Sequence, residues 1–247
     1  MERNEFGTGD TSVIMLHGNS LDPTIFAPLI DELENKFKLI TLNLPGHGNS
    51  ERPNNYNIQN LSQVIIDTIN NETGKKYILA HSLSGHLILQ GLLQLKDVSG
   101  IICVGTPPLN TLADTVTAFT RLGKLMNNAE WSANEEKEII EGLSKDSYEL
   151  IKEIIRKSDP NFRKAITTSA FLEGFTSEIE NLNKTQIPVS LVFSTNDDYI
   201  DTSYCHQLPG TIENPYIKII FIDYGGHLPF FNFPEKFSRI IQNATEL

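Results

Sequence analysis

Cysteine, tryptophan and positive charge are all scarce in this chain. Two cysteines occur in 247 residues: Cys103 in the run Gly100-Ile101-Ile102-Cys103-Val104, and Cys205 beside Tyr204 and His206. They leave no disulfide framework and no zinc-ligand spacing to read, so both are expected to be structural thiols, and no metal or other cofactor is expected. Lysine and arginine total 20 against 31 acidic residues, a net charge of −11. That balance speaks against a nucleic-acid backbone or an anionic membrane as the main partner and leaves small neutral molecules. No apolar run is long enough to span a bilayer. The segment Met1-Glu2-Arg3-Asn4-Glu5-Phe6-Gly7 lacks the apolar core of a signal peptide, so a cytoplasmic location is expected.

What is present is the composition of a folded domain, 39% hydrophobic and 21% charged, at a length one α/β domain commonly occupies. Short apolar or β-branched runs recur at Val13 to Leu16, Lys38 to Leu42, Tyr77 to Ala80, Gly100 to Val104, Val189 to Phe193 and Tyr216 to Ile222. Such runs, with little polar alternation, predict strands covered on both faces of a mostly parallel sheet. Between Pro107 and about Pro188 helix-start signals replace the strand pattern: Ser132-Ala133-Asn134-Glu135 as a capping box, Asp146-Ser147-Tyr148-Glu149, and Asp159-Pro160. Val116, Phe119, Leu122 and Met126 keep helical spacing, as do Leu150, Ile151, Ile154 and Ile155. The expected organisation is a core of residues 1–106 and 188–247 with a helical cap, 107–187, seated on it.

One corner carries chemistry. The strand ending at Ala80 turns through His81-Ser82-Leu83-Ser84-Gly85 into an apolar helix, which can expose one hydroxyl at the carboxyl edge of the sheet with a helix amino terminus behind it. The usual elbow is G-x-S-x-G, and here Ala80 and Ser84 stand at the two glycine places. Ser84 is the rival nucleophile, but it lies past the corner, where packing or a local hydrogen bond is the expected role. His81 and His86 flank the turn and are expected to be structural or cap-facing, because a base next to Ser82 in sequence would point away from it. After the strand Val13 to Leu16, His17-Gly18-Asn19-Ser20 is the expected source of a second oxyanion donor, the Asn19 N–H facing the Leu83 N–H. His17 is expected to hold this loop. His227, in Gly225-Gly226-His227-Leu228-Pro229, is the expected general base. Asp197 is its expected carboxylate partner, ahead of Asp198 and Asp201.

With these residues placed, the chain resembles the α/β-hydrolase superfamily over nearly its whole length. The resemblance rests on His17-Gly18, Leu44-Pro45-Gly46-His47-Gly48, His81-Ser82-Leu83-Ser84-Gly85, Asp197 and Gly226-His227. It departs at the elbow and at Asn43, where many relatives carry aspartate. The segment before Val13 is short, so the first antiparallel strands common in the superfamily are expected to be reduced here. A narrower resemblance, carried by His17-Gly18-Asn19-Ser20, Ile25-Phe26-Ala27-Pro28, Gly105-Thr106-Pro107-Pro108 and Gly226-His227-Leu228-Pro229-Phe230, is to the α/β-hydrolase type of N-acyl-homoserine lactonase. That resemblance implies metal-free hydrolysis of an ester or lactone through an acyl-enzyme. A general short-chain carboxylesterase and a ligand-binding receptor with little turnover are the alternatives. The Asn19 side chain either orients the substrate or braces its loop. Phe119, Trp131, Tyr148, Phe171 and Phe175 either line an acyl pocket or form the cap core.

Overall fold

The computed structural model describes residues 1–173 and 177–246. Seven strands, β1 (Glu2–Phe6), β2 (Ser12–Leu16), β3 (Lys38–Asn43), β4 (Lys76–His81), β5 (Val98–Val104), β6 (Val189–Ser194) and β7 (Ile217–Ile222), form one sheet. Its order is β1-β3-β2-β4-β5-β6-β7. Only β1 runs antiparallel to its neighbour, pairing Glu2 with Asn43 through Phe6 with Leu39; the other neighbours are parallel. All residues of β2 and β4 are buried, which requires cover on both faces and explains why these strands read as unbroken apolar runs.

Strand β1 is an addition to the six strands expected from sequence. Its residues Arg3 to Phe6 are exposed, so no buried alternation marks it; it is a charged edge strand, a common protection against edge-to-edge pairing. It also accounts for Asn43. The Asn43 amide donates to the Glu2 carboxylate at 2.9 Å, whereas an aspartate there would set two carboxylates against each other.

The helices are α1 (Ala27–Leu33), α2 (Ile58–Asn71), α3 (Leu83–Gln90), α4 (Asp114–Thr117), α5 (Arg121–Met126), α6 (Ala133–Ser144), α7 (Tyr148–Arg156), α8 (Pro160–Glu173), α9 (Glu178–Lys184), α10 (Thr202–Cys205), α11 (Pro229–Asn232) and α12 (Pro234–Thr245). Helices α1, α11 and α12 pack together, as do α2, α3 and α9. Between β5 and β6 lie only helices, α4 to α9, among the described residues. The capping box of Ser132 and Glu135 starts α6, and Asp159 caps α8 by accepting the Asn161 N–H at 2.9 Å. The continuous helix suggested by Val116, Phe119, Leu122 and Met126 is broken. Phe119 instead bridges Ile200, and Thr120 caps a new helix by accepting the Gly123 N–H. Among the described residues no helix is long and apolar enough to cross a membrane.

Candidate active site

Every chemically promising loop leaves the carboxyl edge of the parallel strands: residues 17–20 after β2, Ser82 after β4, Gly105 after β5, Asp197 after β6 and His227 after β7. Crevices at this edge are where open α/β sheets hold ligands.

Ser82 sits on the corner with φ 52° and ψ −118°, a strained conformation for a residue with a side chain. Its N–H donates to Val104 at 2.8 Å, and its carbonyl accepts from the Thr106 hydroxyl at 2.9 Å. Backbone and neighbour together hold the strain. The Ser82 Oγ lies 3.1 Å from His227 Nε2, and His227 Nδ1 lies 2.8 Å from Asp197 Oδ2. The second oxygen of Asp197 accepts the N–H groups of Tyr199 at 2.8 Å and Ile200 at 3.2 Å. With a buried carboxylate on Nδ1, the neutral imidazole carries its proton there and leaves Nε2 as an acceptor facing the serine. Of the rival carboxylates, Asp198 is exposed and its carbonyl is held by Thr120, while Asp201 caps α10 by accepting the Ser203 N–H.

The other histidines have structural places. His81 Nε2 lies 3.0 Å from the His227 carbonyl, and since a carbonyl only accepts, His81 donates there. Burial, then the neighbouring His227, hold its pKa well below the usual 6.5. His86 Nδ1 faces both oxygens of the buried Glu178 at 3.0 Å, tying α3 to α9. His17 Nδ1 lies 2.9 Å from the Gly18 carbonyl, and its Nε2 accepts the Leu44 N–H at 3.0 Å. Ser84, fully buried, donates its hydroxyl to the His17 carbonyl, so the rival serine serves as a tie between elbow and loop. Gly18 permits the close approach, since a Cβ there would lie 2.7 Å from His81 Nδ1 and 3.0 Å from Ser82 Cβ. The two cysteines are buried, and burial pushes both thiols up.

A cavity of about 330 Å³ opens above Ser82 and His227. Leu83, Met126, Ile166 and Ile200 supply apolar walls, Asn19 and Asn127 a polar corner, and Lys124 the only lysine or arginine among the described lining residues. Asn19 and Phe119 line this cavity; Trp131 and Tyr148 are not among its described lining residues. Trp131 is packing: its indole N–H donates to Leu125 at 2.9 Å, and the Arg163 guanidinium lies 4.1 Å over its ring. Tyr148 carries Lys152 over its ring at 5.5 Å. Phe175 and the side chain of Phe171 lie outside the described residues. Sequence reasoning missed Tyr199, whose ring stacks on His227 at 4.7 Å and whose hydroxyl donates to Ile139. The one local signal was its position two residues after Asp197.

Comparison with known families adds to this geometry. The model of the alpha/beta hydrolase family matches residues 13–240. The chain belongs to that family. Among curated proteins, this hydrolase is similar to a pimeloyl-[acyl-carrier protein] methyl ester esterase of Nitrosomonas europaea. The two are 24% identical over 240 residues, covering 91% of this chain and 92% of the relative. Its counterpart in Yersinia pseudotuberculosis is 22% identical, over 97% of this chain and 95% of that one. Among solved structures, a mutant of the N-acyl homoserine lactonase AidH complexed with N-hexanoyl homoserine lactone superposes with TM-score 0.86 at 21% identity, covering 99% of this chain and 94% of that one. An esterase of Thermogutta terrifontis superposes with TM-score 0.77 at 19% identity, covering 99% and 92%. At these identities the structural likenesses establish the fold.

Proposed function

We propose that this hydrolase cleaves carboxylic esters through an acyl-enzyme on Ser82, and that N-acyl homoserine lactones are its substrate class. The observation carrying the reading is the Ser82, His227, Asp197 relay, aimed into a largely apolar cavity with an asparagine pair at one corner. His227 Nε2 takes the serine proton as Ser82 Oγ attacks the carbonyl. The N–H groups of Asn19 and Leu83 then stabilise the tetrahedral oxyanion; loss of one such donor typically costs about 3 kcal/mol. Asp197 fixes the imidazole tautomer and stabilises its charged form. His227 protonates the leaving alkoxide and afterwards deprotonates the water that releases the acid.

A lactone adds one demand, because its alkoxide stays tethered and the ring can reclose before water attacks. An enclosed acyl chain and a polar corner for the amide favour holding the opened product in place, and the likeness to AidH supports this reading. The methyl ester esterases among the relatives support ester cleavage in general. A general short-chain carboxylesterase uses the same relay with a less selective roof.

The test is acid release from an N-acyl homoserine lactone and from a matched open-chain acyl ester, by wild-type protein and Ser82→Ala. Strong lactone preference that vanishes in Ser82→Ala is expected. Cleavage of the open ester alone would sink the lactone assignment and leave the esterase. A folded wild-type protein that neither turns over nor reacts with a fluorophosphonate at Ser82 would point to the ligand-binding receptor instead.

A further inference from the structure

The roof does more than cover the cavity, because Asp159, Phe162 and Arg163 at the start of α8 touch the loops after β2 and β3 at four residues. The Asp159 N–H donates to the Gly46 carbonyl at 2.7 Å, and the Asp159 carboxylate accepts the Tyr56 hydroxyl at 2.7 Å. Phe162 meets His47 edge-on, with ring centres 4.4 Å apart. Arg163 Nη1 donates to the Ser20 hydroxyl at 3.2 Å.

Ser20 is fully buried and holds φ 59°, a conformation that costs a non-glycine residue about 1 kcal/mol or more unless its surroundings impose it. Here they do. Its N–H donates to His47 Nε2 at 3.1 Å, and its hydroxyl donates to Asn19 Oδ1 at 3.2 Å while accepting from Arg163. The Asn19 amide then donates to Asn127 Oδ1 at 3.2 Å, on the residue that ends α5. An unbroken chain therefore runs from Arg163 on α8 through Ser20 and Asn19 to α5. It passes through the residue whose backbone N–H faces the developing oxyanion.

We infer that Arg163 is a positioning residue: through Ser20 it sets the Asn19 N–H, so that the seating of the helical roof and the formation of the oxyanion pocket are one event. The inference rests on the acyl-enzyme reading above. Oxyanion donors act in proportion to how well they are fixed before charge develops, so a loosened Asn19 should slow turnover more than it weakens ground-state binding.

The test uses p-nitrophenyl butyrate, with active sites counted by stoichiometric fluorophosphonate labelling, in Arg163→Ala, Arg163→Lys, Ser20→Ala and the double variant Arg163→Ala with Ser20→Ala. Each alanine variant is expected to lower kcat about tenfold per labelled site with KM nearly unchanged. The double variant should be no slower than the worse single one, and lysine should recover much of the loss. Should Arg163→Ala not fold, Ser20→Ala and Arg163→Lys read the same coupling. Losses that multiply, or a wild-type kcat with only a lower Tm, would assign Arg163 to roof stability and overturn the inference. If wild type itself neither labels nor turns over, the acyl-enzyme reading fails first and takes this one with it.

Discussion

Acid should unfold this hydrolase early, because three of its histidines are buried without room for a charge. His17, His47 and His81 are all fully enclosed, and burial is the first cause of the lowered pKa of each, with His47 and His81 held well below the usual 6.5. The sign follows from proton counting. Above pH 6.5 neither folded nor unfolded chain protonates them; below it the unfolded chain takes up protons that the folded chain refuses, so stability falls as pH falls. Each such imidazole shifts the unfolding equilibrium by up to tenfold per pH unit. From pH 7.5 to 5.5, a ring that takes up no proton in the folded chain lowers stability by at most about 1.4 kcal/mol, which is the ceiling for each of the three. Against a typical total of 5–15 kcal/mol, three such rings are a large fraction, and the Tm should fall measurably from pH 7.5 to 5.5. Thermal unfolding followed by circular dichroism across that range would measure it. A Tm flat from pH 7.5 to 5.5 would mean that these rings accept protons in the folded state, which would refute the burial argument.

Gly105 has φ 60°, and a Cβ there would lie 2.9 Å from His227 Cε1, so Gly105→Ala should push the imidazole off Ser82 and cut kcat by about a hundredfold; wild-type turnover would show the ring has slack. Ser84→Ala removes the tie to His17 and should cost about 1–2 kcal/mol of stability, while fluorophosphonate still labels Ser82; labelling abolished in Ser84→Ala but kept in Ser82→Ala would make Ser84 the nucleophile. Asp197→Asn should keep the fold and lower kcat by up to about 10⁴-fold, as the wrong tautomer does in other triads; a loss under tenfold would remove Asp197 from the relay. Val116, 64% exposed yet lining the cavity, stands where a long acyl chain would emerge. Val116→Asp should therefore lower kcat/KM for dodecanoyl but not butanoyl substrates, and an unchanged chain-length profile would place the chain elsewhere.

Legibility in the sequence followed burial. Strands β2 to β7 could be read because apolar runs mark strands enclosed by helices. Strand β1 could not, since Arg3-Asn4-Glu5-Phe6 pairs with the sheet through its backbone and is exposed, leaving no buried alternation to read. Helices α6 and α8 carry their start signals in adjacent residues, Ser132 with Glu135 and Asp159 with Pro160. The break between α4 and α5 depends on Ile200, far away in the chain, so helical spacing alone overran it. The same division applies to the site. Ser82, Asp197 and His227 each follow a recognisable strand and arrive in a recognisable order. Tyr199, Asn127 and Ile166 reach the cavity only through tertiary packing, and Trp131 and Tyr148 were drawn to it by residue type alone.

The altered elbow can now be read as a redistribution of close contacts. A glycine two residues before or after the nucleophile relieves crowding at the turn. Here Ala80 is enclosed within β4, opposite Leu16 in register, and Ser84 turns its hydroxyl onto the His17 carbonyl. Close approach is instead made by Gly85, where a Cβ would lie 2.1 Å from Thr106 Oγ1, and by Gly18, on the loop that Ser84 holds. A tie from the elbow to one end of that loop, and a chain from Arg163 through Ser20 to its other end, leave the Asn19 N–H little freedom relative to the Leu83 N–H. This chain places a buried hydrogen bond across that spacing. The serine at position 84, read alone as a defect in the motif, thus contributes to the rigidity on which the proposed oxyanion pocket depends.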